Sequence, residues 1–182
     1  MIYLLAGLGV ISRLIPHWPN FVPIGSIGIF ASNKKGILTS ALIVLAVMVI
    51  TDIFLGFSFV SFFVYTGMLS YVFWGQLSRR GTLGMLGAPI GGSISFFIIS
   101  NLGVWLGPWY THDLTGFIRC FTLAIPFYKF TLFSDIIFTA AIFAIYALVV
   151  KYKTGGLRVQ RKPNEKEIRW HSRLLKASLN KK

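Results

Sequence analysis

Six apolar runs, separated by short clusters of proline, glycine and charged residues, constrain the fold of this chain more than any other feature. An α-helix of about 20 apolar residues crosses the roughly 30 Å of hydrocarbon in a bilayer, and several of the runs are that long. The runs cover approximately residues 1–15, 21–32, 37–56, 58–78, 83–107 and 117–150. We therefore predict an all-α integral membrane protein, a six-helix bundle whose first two helices are short.

The composition agrees with a membrane location. Apolar residues make up 55% of the chain and charged residues only 13%, which is rare in a soluble domain of 182 residues. Cys120 is the single cysteine, so an internal disulfide is excluded and no metal-ligand spacing is present. The sequence also lacks G-x-S-x-G, H-E-x-x-H and P-loop motifs. We expect no enzyme activity, no metal and no cofactor.

Basic residues indicate the orientation, because positively charged loops remain in the cytoplasm. The pairs Lys34 and Lys35, and Arg79 and Arg80, lie between apolar runs, and a basic tail begins at Lys151. Six crossings with both the N- and C-termini in the cytoplasm place all three clusters inside. The outer loops then lie near residues 14–20, 56–58 and 107–116. A multi-pass protein of the bacterial inner (plasma) membrane is the predicted location.

We divide the chain into a transmembrane bundle, residues 1–153, and a basic cytoplasmic tail, residues 154–182. Eleven of the 18 Lys and Arg residues fall in the last 32 positions. Because this charge flanks apolar runs, anionic lipid is the expected partner of the tail, and nucleic acid is not. Proline and charge within residues 117–130 predict a tilted or re-entrant piece on the outer side, followed by a last helix near residues 131–150.

Polar residues converge on the predicted outer half of the bundle. At 1.5 Å per helical residue, Asp52 and Asp135 both lie about 22 Å above the inner border, and Asn101 lies about 27 Å above it. Charged residues in spanning helices usually face a protein interior or an aqueous cavity. The candidate substrate-binding residues are Arg13, His17, Asn20, Asp52, Asn101, Trp105 and Asp135.

Two structural interpretations of these residues remain open. Arg13 can pair with Asp52 or Asp135 simply to join two helices. The tryptophans, including Trp105, can belong to the aromatic belt that many membrane proteins place at the lipid–water interface.

Two stretches carry a resemblance to a known family. Residues 13–32 read RLIPHWPNFVPIGSIGIFAS, residues 51–56 read TDIFLG, and Ser134-Asp135 occurs in the last run. Together with six short spans, they resemble the substrate-binding (S) subunits of energy-coupling factor transporters. The resemblance is closer to an uncharacterised group of small bacterial membrane proteins with a supposed transport role.

The resemblance implies a six-helix bundle with an outward-facing vitamin pocket, a separate coupling membrane subunit and paired ATPases. The family carries two alanines four residues apart on the first helix, where the coupling subunit docks. This chain has Ala6 and Val10, or Leu5 and Gly9, at that spacing.

The leading hypothesis is a membrane substrate-capture subunit or small transporter for a vitamin-like or other small solute. The alternative is a non-transporting scaffold similar to rod-shape-determining subunits. The altered docking spacing, the basic tail and a face of small residues at Gly87, Gly91 and Ser95 favour that alternative. An intramembrane enzyme that uses Asp52, Asp135 or a histidine as acid or base ranks lower, because no nucleophile accompanies these groups.

Overall fold

The computed structural model describes residues 1–16, 20–160 and 170, and only the backbone of residues 155–160. Within these residues the chain forms six α-helices, one turn of 3-10 helix at Ser78–Arg80, and no strand. The helices are α1 (Ile2–Leu14), α2 (Ile24–Lys35), α3 (Ile37–Leu55), α4 (Phe59–Leu77), α5 (Thr82–Trp105) and α6 (Leu114–Gln160). The all-α prediction is confirmed.

Among the described residues, three segments are long and apolar enough to cross a membrane: α3, α5 and the stretch Leu114–Thr154 of α6. Helix α1 is apolar but has 13 residues, and α2 has 12. At 1.5 Å per residue both are about 20 Å long or less, shorter than the hydrocarbon layer. The prediction that the first two helices are short is confirmed.

The prediction of a separate tilted or re-entrant piece at residues 117–130, before a last helix near residues 131–150, is wrong, because residues 117–130 form the first part of the continuous helix α6. Pro126 lies inside that helix, where a proline removes one backbone donor. Membrane helices tolerate such a loss when neighbouring groups or small local adjustments compensate for it. No glycine occurs between Gly116 and Gly155 to end the helix.

The chain falls into two compact units, Met1–Phe143 and Ala144–Lys182. In the second unit, residues 144–160 continue α6. The greater part of the basic tail, residues 161–169 and 171–182, lies outside the described residues. The predicted binding of anionic lipid by that tail stays a prediction.

Helix α2 occupies the core of the first unit, since every residue from 24 to 32 is buried. Small residues allow its neighbours to approach. A Cβ atom at Gly25 would lie 2.6 Å from the ring of Tyr71, and one at Gly28 would lie 3.2 Å from Val44. On another face, Phe30 packs edge to face against Phe143 of α6, with ring centroids 5.2 Å apart. Neighbouring helices therefore enclose α2 on several sides.

The serines of α2 are also buried, and each donates a hydrogen bond to a neighbouring helix. The Ser26 hydroxyl donates to the backbone oxygen of Asp135 at 3.1 Å, and the Ser32 hydroxyl donates to that of Val72 at 2.6 Å. Buried hydroxyl groups need such partners because an unpaired polar group costs about 1–3 kcal/mol. These two bonds fix α2 against α6 and α4.

The small residues of α5 face α4. A Cβ atom at Gly91 would lie 2.5 Å from the ring of Trp74, whose indole nitrogen donates to the Ser95 hydroxyl at 2.9 Å. A Cβ atom at Gly92 would overlap the ring of Tyr71. The face predicted at Gly87, Gly91 and Ser95 therefore serves packing inside the bundle.

We predict that Gly84→Ala lowers the free energy of unfolding by about 1–3 kcal/mol, through overpacking. Its new Cβ atom would overlap the backbone carbonyl oxygen of Leu77, which cannot rotate away as a side chain can. Gly87→Ala is the matched control on the same helix, since its Cβ atom would lie 3.4 Å from the Leu77 side chain. Thermal unfolding in detergent should show a lower midpoint for Gly84→Ala only. Equal midpoints would contradict the close approach of α4 and α5.

Candidate functional site

Arg13 and Asp52 form an ion pair between the ends of α1 and α3. The Arg13 Nη1 atom lies 2.7 Å from Asp52 Oδ1, and the side chains are 19% and 6% exposed. The same nitrogen donates to the hydroxyl of Thr51. The guanidinium group therefore binds two side chains of α3 and joins α1 to that helix, as in the structural interpretation of the Arg13 pair.

The second carboxylate oxygen of Asp52 is occupied as well. The Tyr65 hydroxyl of α4 donates to Asp52 Oδ2 at 2.8 Å. A single carboxylate thus links α1, α3 and α4.

Asp135 lies in a different environment, on α6 beside α2. It is 3% exposed, and the hydroxyl of Tyr71 donates to its Oδ2 atom. In the described part of the chain, no basic side chain forms an ion pair with it. The Thr139 hydroxyl, one turn further along α6, donates to Ser26 of α2 at 2.9 Å. The two acids predicted to share a site are therefore held by separate sets of partners.

A cavity of about 200 Å³ lies between α4, α5 and α6. Its lining is mostly apolar, from Val60 and Val64 of α4 to the phenylalanines of α5 and α6. Five polar residues also line it: Asn20, Ser100, Asn101, Tyr128 and Thr131. No charged side chain lines it among the residues that the structure describes. Apolar walls with a few polar groups are typical of small-molecule sites.

Three of these polar side chains donate hydrogen bonds to their own helices. Asn101 donates to the Phe97 carbonyl at 2.7 Å, and Ser100 and Thr131 make the same kind of bond one turn back along their helices. The side-chain oxygen of Asn101 and the hydroxyl lone pairs remain available to accept hydrogen bonds. The cavity therefore offers acceptors at fixed positions.

Asn20 and Tyr128 supply donors. Neither side chain makes a hydrogen bond within the described ranges, 1–16 and 20–160. Asn20 has a φ of 59°, in the left-handed region that asparagine tolerates better than most residues. The Tyr128 ring packs against Phe97 with ring centroids 4.9 Å apart, which holds the hydroxyl-bearing ring in place.

Trp105 supports the connection between α5 and α6. Its indole nitrogen donates to the Thr111 carbonyl at 3.0 Å, and its ring stands edge to face with Phe117, 5.4 Å between centroids. Trp105 does not line the cavity, but its neighbour Val104 does.

Asp113 begins α6 as a capping residue. Its Oδ1 atom accepts the Gly116 amide at 2.7 Å and the Thr111 hydroxyl at 2.8 Å. The amide and then the hydroxyl lower the pKa of this carboxyl group. Asp113 is therefore charged at neutral pH and satisfies a backbone donor at the start of α6.

Six of the seven predicted site residues are described by the structure, and these six do not form one site. Asn20 and Asn101 line the cavity, Arg13 and Asp52 pair with each other, Asp135 binds Tyr71, and Trp105 packs at the end of α5. His17 lies outside the described residues.

Sequence reasoning missed Ser100, Tyr128 and Thr131 in the cavity, and the tyrosines at positions 65 and 71 that hold the acids. The tyrosines had a usable signal, since a phenolic hydroxyl within a spanning helix needs a partner.

Residues 1–159 match a family of unknown function, DUF6580. No curated protein and no solved structure matches the chain.

We predict that the single variants Arg13→Met and Asp52→Asn are each less stable than the double variant that carries both substitutions. Either single change leaves an uncompensated, largely buried polar or charged group, whereas the double variant removes the charges and keeps an amide oxygen for Tyr65. A double-mutant cycle from thermal unfolding should give a coupling energy on the order of 0.5–3 kcal/mol. Additive effects would show that the ion pair contributes no coupling.

Proposed function

We propose that this chain, which belongs to the DUF6580 family of unknown function, is a membrane substrate-capture subunit or small transporter for a vitamin-like or other small solute. The observation that carries this proposal is the cavity between α4, α5 and α6, where apolar walls surround a few hydrogen-bonding groups. In this proposal Arg13 and Asp52 have a structural role, since they form an ion pair with each other.

The proposed topology has six crossings of the bacterial inner membrane and both termini in the cytoplasm. The positive-inside rule assigns the ends of α2 and α4, with Lys35 and Arg80, to the cytoplasm. The cavity is at the opposite end of the helices, since Val60 is the second residue of α4 and Val104 the next-to-last of α5. The solute therefore enters from the outer face.

The lining favours a compact, neutral solute. The volume of about 200 Å³ is below the roughly 300–1,000 Å³ of drug-sized ligand pockets. Without a charged side chain among its described lining residues, the cavity gives little compensation for bringing an ion out of water. Phe96, Phe97 and Phe127 provide apolar contact area. A small flat ring with one or two polar substituents fits these properties.

Two sets of hydrogen bonds would orient such a solute. The Asn101 side-chain oxygen accepts from a solute N–H or O–H group, and the Tyr128 hydroxyl and Asn20 amide donate to a solute carbonyl or ring nitrogen. A solute lacking these groups would leave the cavity's polar atoms unpaired, which costs about 1–3 kcal/mol per group. This difference provides the selectivity.

Release of the solute into the cell requires partners in this proposal. The sequence carries no nucleotide-binding motif. A coupling membrane subunit with ATPases, as the resemblance to energy-coupling factor transporters implies, would supply the energy.

The scaffold alternative ranks second, because the small-residue face of α5 that favoured it is explained by packing within the bundle. The small residues Gly91 and Ser95 pack against Trp74 of α4. That face of α5 is therefore occupied and does not present a docking surface.

The test is native mass spectrometry of protein released gently from its membrane, applied to Val104→Phe. The larger ring fills part of the cavity, so we expect the co-purified solute to fall by about tenfold or more, equivalent to about 1.4 kcal/mol. Ile98→Phe on the same helix is the matched control, because Ile98 is 50% exposed and lies outside the cavity.

Retention of the solute by Val104→Phe would reject this cavity as the binding site. A ligand-free native protein bound to cell-envelope proteins would favour the scaffold instead.

A further inference from the structure

A second concave surface lies at the other end of α4. This groove has a volume of about 320 Å³ and is lined by Phe73, Trp74, Gln76, Leu77 and Arg80. Phe73 is 63% exposed and Trp74 38% exposed. The groove therefore combines an accessible apolar floor with one cation at the end of the helix.

The two arginines that follow α4 have different roles. Arg79 caps the end of α2, donating from Nη2 to the Ser32 carbonyl at 2.7 Å and from Nε to the Asn33 carbonyl at 3.1 Å. Arg80 makes no hydrogen bond or ion pair within the described part of the chain. Its charge is thus available to a partner in the groove.

Two polar side chains of the groove are already held in place by the bundle. The Trp74 indole donates to Ser95 at 2.9 Å, and the Gln76 amide donates to the Ser32 hydroxyl at 2.5 Å. The absence of a side chain at Gly91 allows the Trp74 ring to lie close against α5. Trp74 and Gln76 therefore need little further ordering when the groove is filled, which favours binding.

The electrostatics favour an anion. Among the residues that the structure describes, no carboxylate lines the groove. Lys35 lies at the end of α2, two residues after Asn33, whose carbonyl accepts Arg79. Basic residues near a membrane surface attract anionic headgroups. Each such residue raises the affinity for an anionic lipid by about fivefold.

We propose that this groove binds an anionic phospholipid of the cytoplasmic leaflet. The headgroup phosphate accepts hydrogen bonds from Arg80, and an acyl chain lies along Phe73 and Leu77. A guanidinium group matches phosphate geometry with paired donors, so arginine suits this position better than a point charge. The apolar length of the groove distinguishes a lipid from a free phosphate ion, which would use only the arginine.

The charge is tested with purified protein titrated with phosphatidylglycerol or phosphatidylcholine of identical acyl chains, with bound lipid counted by native mass spectrometry. We expect the native protein to prefer phosphatidylglycerol by about fivefold, and Arg80→Gln to lose that preference. Arg119→Gln is the matched control, since Arg119 is an exposed arginine near the start of α6 and lies outside the groove.

The apolar floor is tested separately. Phe73→Ala should weaken the binding of both lipids, whereas Phe62→Ala, at a 71% exposed position nearer the other end of α4, should not. Equal binding of the two lipids by the native protein would overturn the proposal, as would equal effects of Arg80→Gln and Arg119→Gln. Displacement of the lipid by millimolar inorganic phosphate would show an anion site without a chain groove and overturn it too.

Discussion

Enclosure of a short helix is the constraint on which the rest of this structure depends. Residues 24 to 32 of α2 are buried without exception, so each neighbouring helix must reach α2 closely and satisfy its polar groups. Glycine at positions 25 and 28 allows the close approach, and the hydroxyls of Ser26 and Ser32 find backbone carbonyls on α6 and α4. The longer helices can face lipid because α2 supplies much of the interior against which they pack.

The polar residues divide into two groups with different roles. The carboxyl groups of Asp52 and Asp135 accept hydrogen bonds from the Tyr65 and Tyr71 hydroxyls of α4, and Arg13 adds an ion pair to Asp52. The uncharged cavity residues, including Asn101, bond mainly to their own helices and keep capacity for a ligand. Charges inside a membrane protein are costly, and here Asp52 and Arg13 link helices while amides and hydroxyls line the cavity.

Helix α4 contributes to both proposed binding surfaces. Val60 and Val64, near the start of α4, line the cavity. The groove lies at the other end, from Phe73 of α4 to Arg80 in the turn that follows it. Close packing of α4 against the glycines of α5 fixes the position of both surfaces relative to the core. A lipid in the groove would contact the same helix as a solute in the cavity, but at the opposite end.

The sequence by itself determined the all-helical class, the shortness of α1 and α2 and the clusters of basic charge, because apolar run length and charge position are local properties. It predicted a similar depth for Asp52 and Asp135, since depth follows from counting residues along a helix. Tertiary structure alone decided which groups meet, because the rotation of each helix and the choice of neighbour depend on packing. That is why Asp135 binds Tyr71 and not Arg13. It is also why α6 continues through Pro126, a position that local propensity alone marks as a break.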